Sequence, residues 1–388
     1  MSVTAARGFV ASGVAAGIRP SGAPDVALVR SLEPAVGAAM WTTNRVQAAP
    51  VLVSKRHLEL TEPQAVVINA GSANAATGAA GIADAKATAV AAADALDLRP
   101  EQIILLSTGV IGIPMPMDRM LAGLRVAALD LSPEGGGAAA SAILTTDSGP
   151  KTAVAQQAGF TVGGMAKGAG MIHPALATML AVVTSDYPLA PGEADAFLRP
   201  VVEETFNRIS VDGDCSTNDA VVLLANGRSG VARNSGLNES FAAALHEVCD
   251  DLARQIVADG EGATVVLEIR VTSASSQEEA LAIARRVATS PLVKTAAFGR
   301  DPNWGRVLAA AGSAAWNGGF ARLDPDMLTV SFDGVPVYDR GAPTGRVPTL
   351  RGPTCRIDLD LALGAGSAAY LASDLTSDYV RINAEYTT

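Results

Sequence analysis

Cysteine is scarce in this chain, and the few thiols lie far apart. The 388 residues include three cysteines, Cys215, Cys249 and Cys355. An odd number of widely separated cysteines excludes the disulfide framework of a small secreted protein and predicts a reducing compartment. The cytoplasm is the expected location.

Histidine is equally rare, which bears on metal binding. The three histidines, His57, His173 and His246, never stand three or four residues apart, as a zinc site on one helix requires. The acidic stretch Val211–Asp219 lacks the bidentate carboxylate that closes a calcium loop. We therefore predict no metal and no cofactor.

Long apolar runs and a net positive charge are also missing. No apolar run approaches the ~20 residues that a membrane-spanning helix needs. Glycines and the following Arg19-Pro20 pair make the opening stretch Arg7–Ile18 a strand and turn rather than a secretion signal. A net charge of −10 argues against nucleic acid, because phosphate binding needs a basic surface. The sequence thus predicts neither a membrane nor a nucleic-acid partner.

Small apolar residues are what the chain has in excess. Hydrophobic residues make up 49% of it but aromatic residues only 4%, which predicts tightly packed layers. Runs typical of buried strands alternate with helical stretches, such as Met117–Leu129 and Gln277–Ala288, which is the pattern of an α/β fold. Asp333-Gly334 predicts a hairpin turn. A polar break at Ser273–Ser276 separates the expected domains, a larger one over 1–276 and a smaller α+β domain over 277–388.

One hydroxyl, that of Thr178, stands inside an apolar run that follows a glycine-rich turn. A threonine hydroxyl is a weak nucleophile, and one way to activate it is the residue's own α-amine at a chain terminus. Cleavage of the Ala177-Thr178 bond would create that amine. The commoner explanation is a buried threonine whose hydroxyl bonds a backbone carbonyl three or four residues back. The segment alone leaves both interpretations open.

Two other segments offer groups that acyl transfer needs. Thr108 and Gly109 follow the predicted strand Ile103–Leu106, where a hydroxyl and a backbone N–H can together stabilise an oxyanion. Lys167 lies among the glycines of Gly163–Gly170, which do not have phosphate-loop spacing but let a ligand carboxylate approach the cation. The structural alternatives are an ordinary strand-exit turn and a solvated loop charge.

Seven different short motifs follow one another along nearly the whole chain. They are Thr42–Arg45, Ile68–Gly78, Ser107–Gly112, Thr145–Asp147, Phe206–Asp219, Phe298–Arg306 and Ile382–Thr388. Around a cleavable Ala-Thr bond, this ordered set resembles the ornithine acetyltransferase family, also called glutamate N-acetyltransferase. The resemblance favours the nucleophile interpretation of Thr178.

The resemblance implies a layered α-β-β-α sandwich as the catalytic domain. It also implies a chain cut after Ala177 into a light chain, 1–177, and a heavy chain, 178–388, which assemble as a heterotetramer of two of each. Thr178 would be the nucleophile, its freed amine the base, and Thr108 with Gly109 the oxyanion hole. Beside Lys167 and Thr178 as substrate-binding residues, the family carry-over adds Thr145, Glu261, Asn383 and Thr388 as substrate contacts.

The implied reaction moves an acetyl group from N2-acetylornithine to glutamate, giving ornithine and N-acetylglutamate in cyclic arginine biosynthesis. The resemblance leaves open whether acetyl-CoA also serves as a donor. One departure from the family is Tyr370–Ser373, where members commonly have a Trp-Gly-Cys run. The alternatives are a related self-cleaving aminopeptidase or amidase, and an uncut amino-acid-binding protein.

Overall fold

The computed structural model describes residues 2–157, 159–173 and 179–385. These residues form two compact units. Among the described residues, the first contains the chain up to Asn207 together with Asp214–Ile256, and the second contains Arg208–Gly213 and the chain from Val257 to Glu385. Helices and strands are numbered in chain order through both units.

Within the described residues, the first unit is built on two β-sheets. Their strands are β1 (Phe9–Val14), β2 (Val26–Ser31), β3 (Val36–Trp41), β4 (Ala65–Ser72), β5 (Ile103–Val110), β6 (Lys151–Gln157), β7 (Phe160–Lys167), β8 (Leu180–Ser185) and β10 (Ala220–Ala225). The four-stranded sheet has the order β1-β2-β4-β5, and the five-stranded sheet has the order β3-β10-β8-β7-β6. β8 therefore pairs on both sides, antiparallel with β7 and parallel with β10.

The two sheets of this unit pack face to face around a shared core. Ile68 and Leu106 of the four-stranded sheet belong to the same buried cluster as Val182 and Val222 of the five-stranded sheet. All six residues of β8 and all six of β10 are buried, as expected for central strands covered on both faces.

Helices cover the outer faces of the two sheets. They are α1 (Ala49–Leu60), α2 (Gly78–Leu96), α3 (Met117–Leu129), α5 (Ala194–Glu204) and α6 (Ser235–Ala258). The short α4 (Gly136–Ala142) instead contributes Ala139 and Ala140 to the core between the sheets. Val67 of β4 is buried with Ala89 of α2 and Leu124 of α3. On the other side, a Cβ at Gly164 of β7 would lie 2.9 Å from Leu252 of α6, so the missing side chain allows close helix packing. The predicted α/β class and α-β-β-α sandwich are confirmed.

The second unit is an α+β structure on a sheet of the order β16-β15-β14-β17-β11-β18-β9. Its strands are β9 (Ile209–Ser210), β11 (Val266–Ala274), β14 (Thr329–Phe332), β15 (Val335–Asp339), β16 (Ala342–Pro343), β17 (Thr354–Asp360) and β18 (Gly366–Ser373), with β12 (Ala315–Trp316) and β13 (Gly319–Phe320) as a separate pair. Its helices are α7 (Gln277–Ala288), α8 (Pro291–Phe298), α9 (Trp304–Gly312) and α10 (Ser377–Glu385). Ile269 of β11, Ile283 of α7 and Leu359 of β17 belong to its core.

The compact units divide the chain earlier than the polar break in the sequence. The predicted boundary follows Ser276, but the second unit begins at Val257 and also includes Arg208–Gly213. The reason is strand pairing: β11 hydrogen-bonds to β17 and β18, and β9 pairs with β18. A local break in composition cannot reveal such long-range pairing. Across the described parts of both units, no helix is long and apolar enough to span a bilayer.

Candidate active site

Three of the predicted site residues, Ala177, Thr178 and Thr388, lie outside the described residues. The description resumes at Met179, which is buried directly before β8. The Met179 N–H donates to Oδ1 of Asp219 at 3.0 Å, and its carbonyl accepts from the Ala220 N–H at 3.2 Å. The residue that follows Thr178 in the chain is thus anchored on both sides of its backbone.

The predicted oxyanion-hole residues lie within β5. The sequence places Thr108 and Gly109 after a strand ending at Leu106, whereas β5 extends to Val110. They face an irregularity of the β4–β5 ladder at Gly71. Gly109 has φ +126°, and a Cβ there would lie 2.4 Å from the Gly71 carbonyl carbon. Only glycine fits this position, because both the backbone angle and the space exclude a side chain.

Lys167, the last residue of β7, is buried with 1% exposure. Its Nζ lies 3.5 Å from Oγ1 of Thr108 and 3.9 Å from Oδ2 of Asp147. The alternative of a solvated loop charge is therefore wrong. A buried ammonium interacts strongly with an anion, since little water screens it.

Asp147 connects the segments around this lysine. Its Oδ1 accepts from Nζ of Lys151 at 2.7 Å and from the Gly168 N–H at 2.6 Å. Its Oδ2 accepts from the Thr145 N–H at 3.1 Å. Thr145, Lys167 and Thr108, all named as candidate site residues from the sequence, are thereby brought into one network.

The charges of this network determine its protonation. Burial alone would raise the pKa of Asp147. The charges of Lys167 and Lys151, with hydrogen bonds from Lys151 and the Gly168 N–H, outweigh burial and hold the pKa well below its ordinary value. Asp147 is therefore a carboxylate at neutral pH.

Asp219 differs from Asp147, although both are buried. Complete burial raises the pKa of Asp219 well above its ordinary value, against the opposing effects of the Met179 N–H and the Lys167 charge. Its Oδ2 has no hydrogen-bond partner in the described part of the chain. Burial, with the nearby carboxyls of Asp219 and Asp214, also raises the pKa of the Cys215 thiol, so this thiol is no competing nucleophile at neutral pH.

Asp147, Lys151 and the pair Asn218-Asp219 were not assigned roles from the sequence. Asp147 and Asp219 did end two of the family-like stretches, which was the available signal. A lysine four residues after an aspartate is common on protein surfaces, and Lys151 is recognised only by its burial. Within the described ranges, no group of three or more histidine, cysteine, aspartate or glutamate side chains could hold a metal ion.

The second unit brings together Glu261 and Asn383. Nδ2 of Asn383, on α10, donates to Oε2 of Glu261 at 2.8 Å. The Thr376 hydroxyl, just before that helix, donates to the Gly262 carbonyl at 2.8 Å. Gly262 has φ +68°, and a Cβ there would lie 2.5 Å from the Tyr379 nitrogen. The turn after Glu261 thus requires glycine for the helix to pack against it.

The family departure Tyr370–Ser373 lies in β18, where a buried lysine contacts its end. Nζ of Lys294 donates to the Ser373 carbonyl. Burial lowers the pKa of Lys294 to about 8, while Asp374 and Asp212 act in the opposite direction. The changed residues therefore belong to the strand that leads into α10, and the Glu261–Asn383 contact forms despite them.

These features define a two-unit α/β protein with a buried lysine, carboxylate and hydroxyl network in its α-β-β-α sandwich. A family model described as the ArgJ family matches residues 10–388. The arginine biosynthesis bifunctional protein ArgJ of Streptomyces coelicolor is 46% identical over 389 residues, covering 100% of both chains. Its namesake from Mycobacterium tuberculosis is 46% identical over 396 residues, covering 99% of this chain and 96% of the relative. The chain belongs to the ArgJ family.

A solved structure gives a more limited match. The ornithine acetyltransferase of Mycobacterium tuberculosis, in complex with ornithine, is 46% identical over the matched part. The match covers 45% of this chain and 94% of that chain, with a TM-score of 0.44. The family assignment therefore rests on the full-length sequence matches.

Proposed function

We propose that this chain cuts itself between Ala177 and Thr178 and then transfers acetyl groups from N2-acetylornithine to glutamate. Membership of the ArgJ family makes it an acetyl-transferring enzyme of arginine biosynthesis. The main support for the proposed cleavage and substrates is the buried Lys167. Its Nζ lies 3.5 Å from the Thr108 hydroxyl oxygen, and Asp147 links it to Thr145. These groups belong to the unit in which β8 follows Thr178.

In the proposed first half-reaction, Thr178 Oγ attacks the acetyl carbonyl carbon of N2-acetylornithine. The freed α-amine of Thr178 takes the hydroxyl proton as the C–O bond forms. The Thr108 hydroxyl and the Gly109 N–H stabilise the oxyanion. Collapse breaks the C–N bond, the ornithine nitrogen takes a proton from the α-ammonium, and an acetyl ester remains on Thr178.

In the second half-reaction, the glutamate amine attacks the carbonyl carbon of the ester and gives a proton to the α-amine of Thr178. The ester C–O bond then breaks, and the resulting α-ammonium returns the proton to Oγ, which restores the Thr178 hydroxyl and releases N-acetylglutamate. Ornithine and glutamate share an α-carboxylate but carry side chains of opposite charge. We assign Lys167 to the shared carboxylate, because a buried cation binds an anion with little screening. Thr145, Glu261, Asn383 and Thr388 are proposed as further contacts by the family resemblance. Asn383 suits both side chains, since its amide donates and accepts.

The remaining family expectations also stay proposals for this chain. They are a heterotetramer of two 1–177 and two 178–388 pieces, a cytoplasmic location, catalysis without a cofactor, and acetyl-CoA as a second donor to be tested. The reducing compartment expected from the scattered cysteines supports the location. An assay in which N2-acetylornithine or acetyl-CoA is supplied as the sole acetyl donor tests whether the enzyme also accepts acetyl-CoA.

Intact-mass measurement before and after exposure to N2-acetylornithine tests the reaction. We expect two pieces, with one acetyl group retained on 178–388 and ornithine released before glutamate is added. Thr178→Ala is the control and should stay whole and unacetylated. An uncut and unreactive wild-type chain would contradict the proposal and favour an amino-acid-binding protein. Release of free acetate without glutamate would favour a hydrolase.

Steady-state kinetics give a second test. One nucleophile serving two substrates in turn predicts parallel double-reciprocal lines, whereas intersecting lines would indicate a ternary complex and no acetyl-threonine. Because an α-amine has an ordinary pKa of about 7.7–8.0, the acetylation rate should fall as the pH drops and that amine is protonated.

A further inference from the structure

The loop Ser216–Asp219, the end of a family-like stretch, has no role in the reaction described so far. Its last two residues are buried, Asn218 with 4% and Asp219 with 0% exposure. Their side chains contact different parts of the first unit. Buried polar groups at such positions fix the geometry of what they bind, because an unmade hydrogen bond there is costly.

Asn218 holds the backbone on the Thr108 side. Its Nδ2 donates to the Ser107 carbonyl at 2.9 Å and to the Ala73 carbonyl at 2.6 Å. The Ser107 carbonyl and the Thr108 N–H belong to one planar peptide unit. Asn218 therefore fixes the orientation of the peptide plane that precedes Thr108 within β5.

Asp219 holds the backbone on the other side. Its Oδ1 accepts from the Met179 N–H at 3.0 Å. That N–H belongs to the peptide unit joining Thr178 to Met179. Asp219 is itself held by its main chain, because its carbonyl accepts from the Thr42 N–H at 2.9 Å.

We propose that Asn218 and Asp219 are positioning residues that together hold the Ser107-Thr108 peptide unit in place relative to the backbone N–H of Met179, which directly follows the proposed nucleophile in the chain. This inference rests on the proposed function. Adjacent Cα atoms stand at a fixed ~3.8 Å, so two consecutive side chains form a short and rigid link. A misplacement of about 1 Å can reduce a catalysed rate about 100-fold, so such a link affects the reaction.

The chemical state of Asp219 indicates which property of its side chain matters. Burial raises the pKa of this carboxyl well above its ordinary value, which favours the neutral form, and the Met179 N–H and the Lys167 charge act against burial. A neutral acid and a carboxamide have nearly the same shape, and both offer an acceptor to the Met179 N–H. Asparagine should therefore substitute for Asp219, whereas alanine should not.

The first test measures self-cleavage over time during cell-free synthesis of the full chain. We expect Asp219→Ala to slow cleavage about 10- to 100-fold and Asp219→Asn to stay within about threefold of wild type. The matched control is Thr184→Val on β8, which removes a buried hydroxyl donating to the Val3 carbonyl at 2.6 Å. Its cleavage rate should not change.

Asn218→Ala gives an independent test on the mature enzyme. We expect kcat to fall about 10- to 100-fold with KM nearly unchanged, because Thr108 stabilises charge that appears only in the transition state. A general loss of folding would instead lower the active fraction and the melting temperature. If Asp219→Ala does not fold, this variant decides the question.

The inference is wrong if Asp219→Ala and Asn218→Ala both behave like Thr184→Val. It is also wrong if Asp219→Asn is as slow as Asp219→Ala, because the acid itself would then be required rather than its acceptor. A wild-type chain that never cuts contradicts the proposed function instead, so the two failures are distinguishable.

Discussion

Replacing Asp147 by asparagine removes a charge that lies between two buried lysines. The side chains of Asp147 and Lys151 are 0% and 3% exposed, and Lys151 Nζ is 2.7 Å from Oδ1. Removing one partner of a buried ion pair costs about 3–5 kcal/mol, because the other charge stays out of water. Asparagine keeps an acceptor for the Gly168 N–H, so we expect a loss of about 3 kcal/mol in the free energy of unfolding.

Urea unfolding over a range of pH shows whether the loss comes from charge. The pKa of Asp147 is depressed from its ordinary 3.8 in the folded chain, so its contribution is complete above that pH and declines as the pH falls below it. Wild type and Asp147→Asn should therefore differ most near neutral pH and converge in acid. The matched double variant, Asp147→Asn with Lys151→Met, should recover part of the loss. A difference under about 1 kcal/mol at neutral pH, with no recovery, would refute this reasoning.

Three further predictions concern single side chains. Thr178→Ala should run as one uncut, inactive 39.3 kDa chain on a denaturing gel, whereas an active uncut enzyme would exclude the amine as base. Thr108→Ala should lower kcat about 100- to 1000-fold with little change in KM, and a few-fold effect would reduce Thr108 to a packing role. The pKa of Lys294 falls from 10.5 to about 8 on folding, so this lysine should make the free energy of unfolding increase as the pH rises from about 8 to 10.5. Denaturation of Lys294→Met should lack that rise, and an unchanged pH dependence would contradict the assignment.

Local sequence signals predicted some of the periodic elements best. α3 and α7 have the predicted bounds Met117–Leu129 and Gln277–Ala288. The start of α7 is fixed by Ser276, whose hydroxyl accepts from the Glu279 N–H. The Asp333-Gly334 hairpin also formed, because both residues adopt the positive φ that this turn requires.

The candidate site was predictable only in its parts. Thr108, Lys167 and Thr145 could be named from motifs, but the contacts of Lys167 with Thr108 and Asp147, and of Thr145 with Asp147, depend on how the chain folds. β6 and β7 bring Lys151 opposite Ala166, which places its ammonium beside the carboxylate that also receives the Gly168 N–H. No local pattern encodes that register. The burial of Lys167 likewise follows from sheet packing rather than from the glycines around it.

Because β8 lies in the middle of its sheet, the proposed cut would change how the enzyme unfolds and refolds. β3, β6 and β7 would belong to the 1–177 piece, and β8 and β10 to the 178–388 piece, yet all five form one sheet. The two pieces would therefore be separate polypeptides within one cooperatively folded structure, and neither would be a domain of its own. Folding before the cut is a first-order event, whereas recovery after unfolding requires two chains to meet and depends on their concentration. Maturation would thus turn a reversible fold into one whose persistence is set by its unfolding rate.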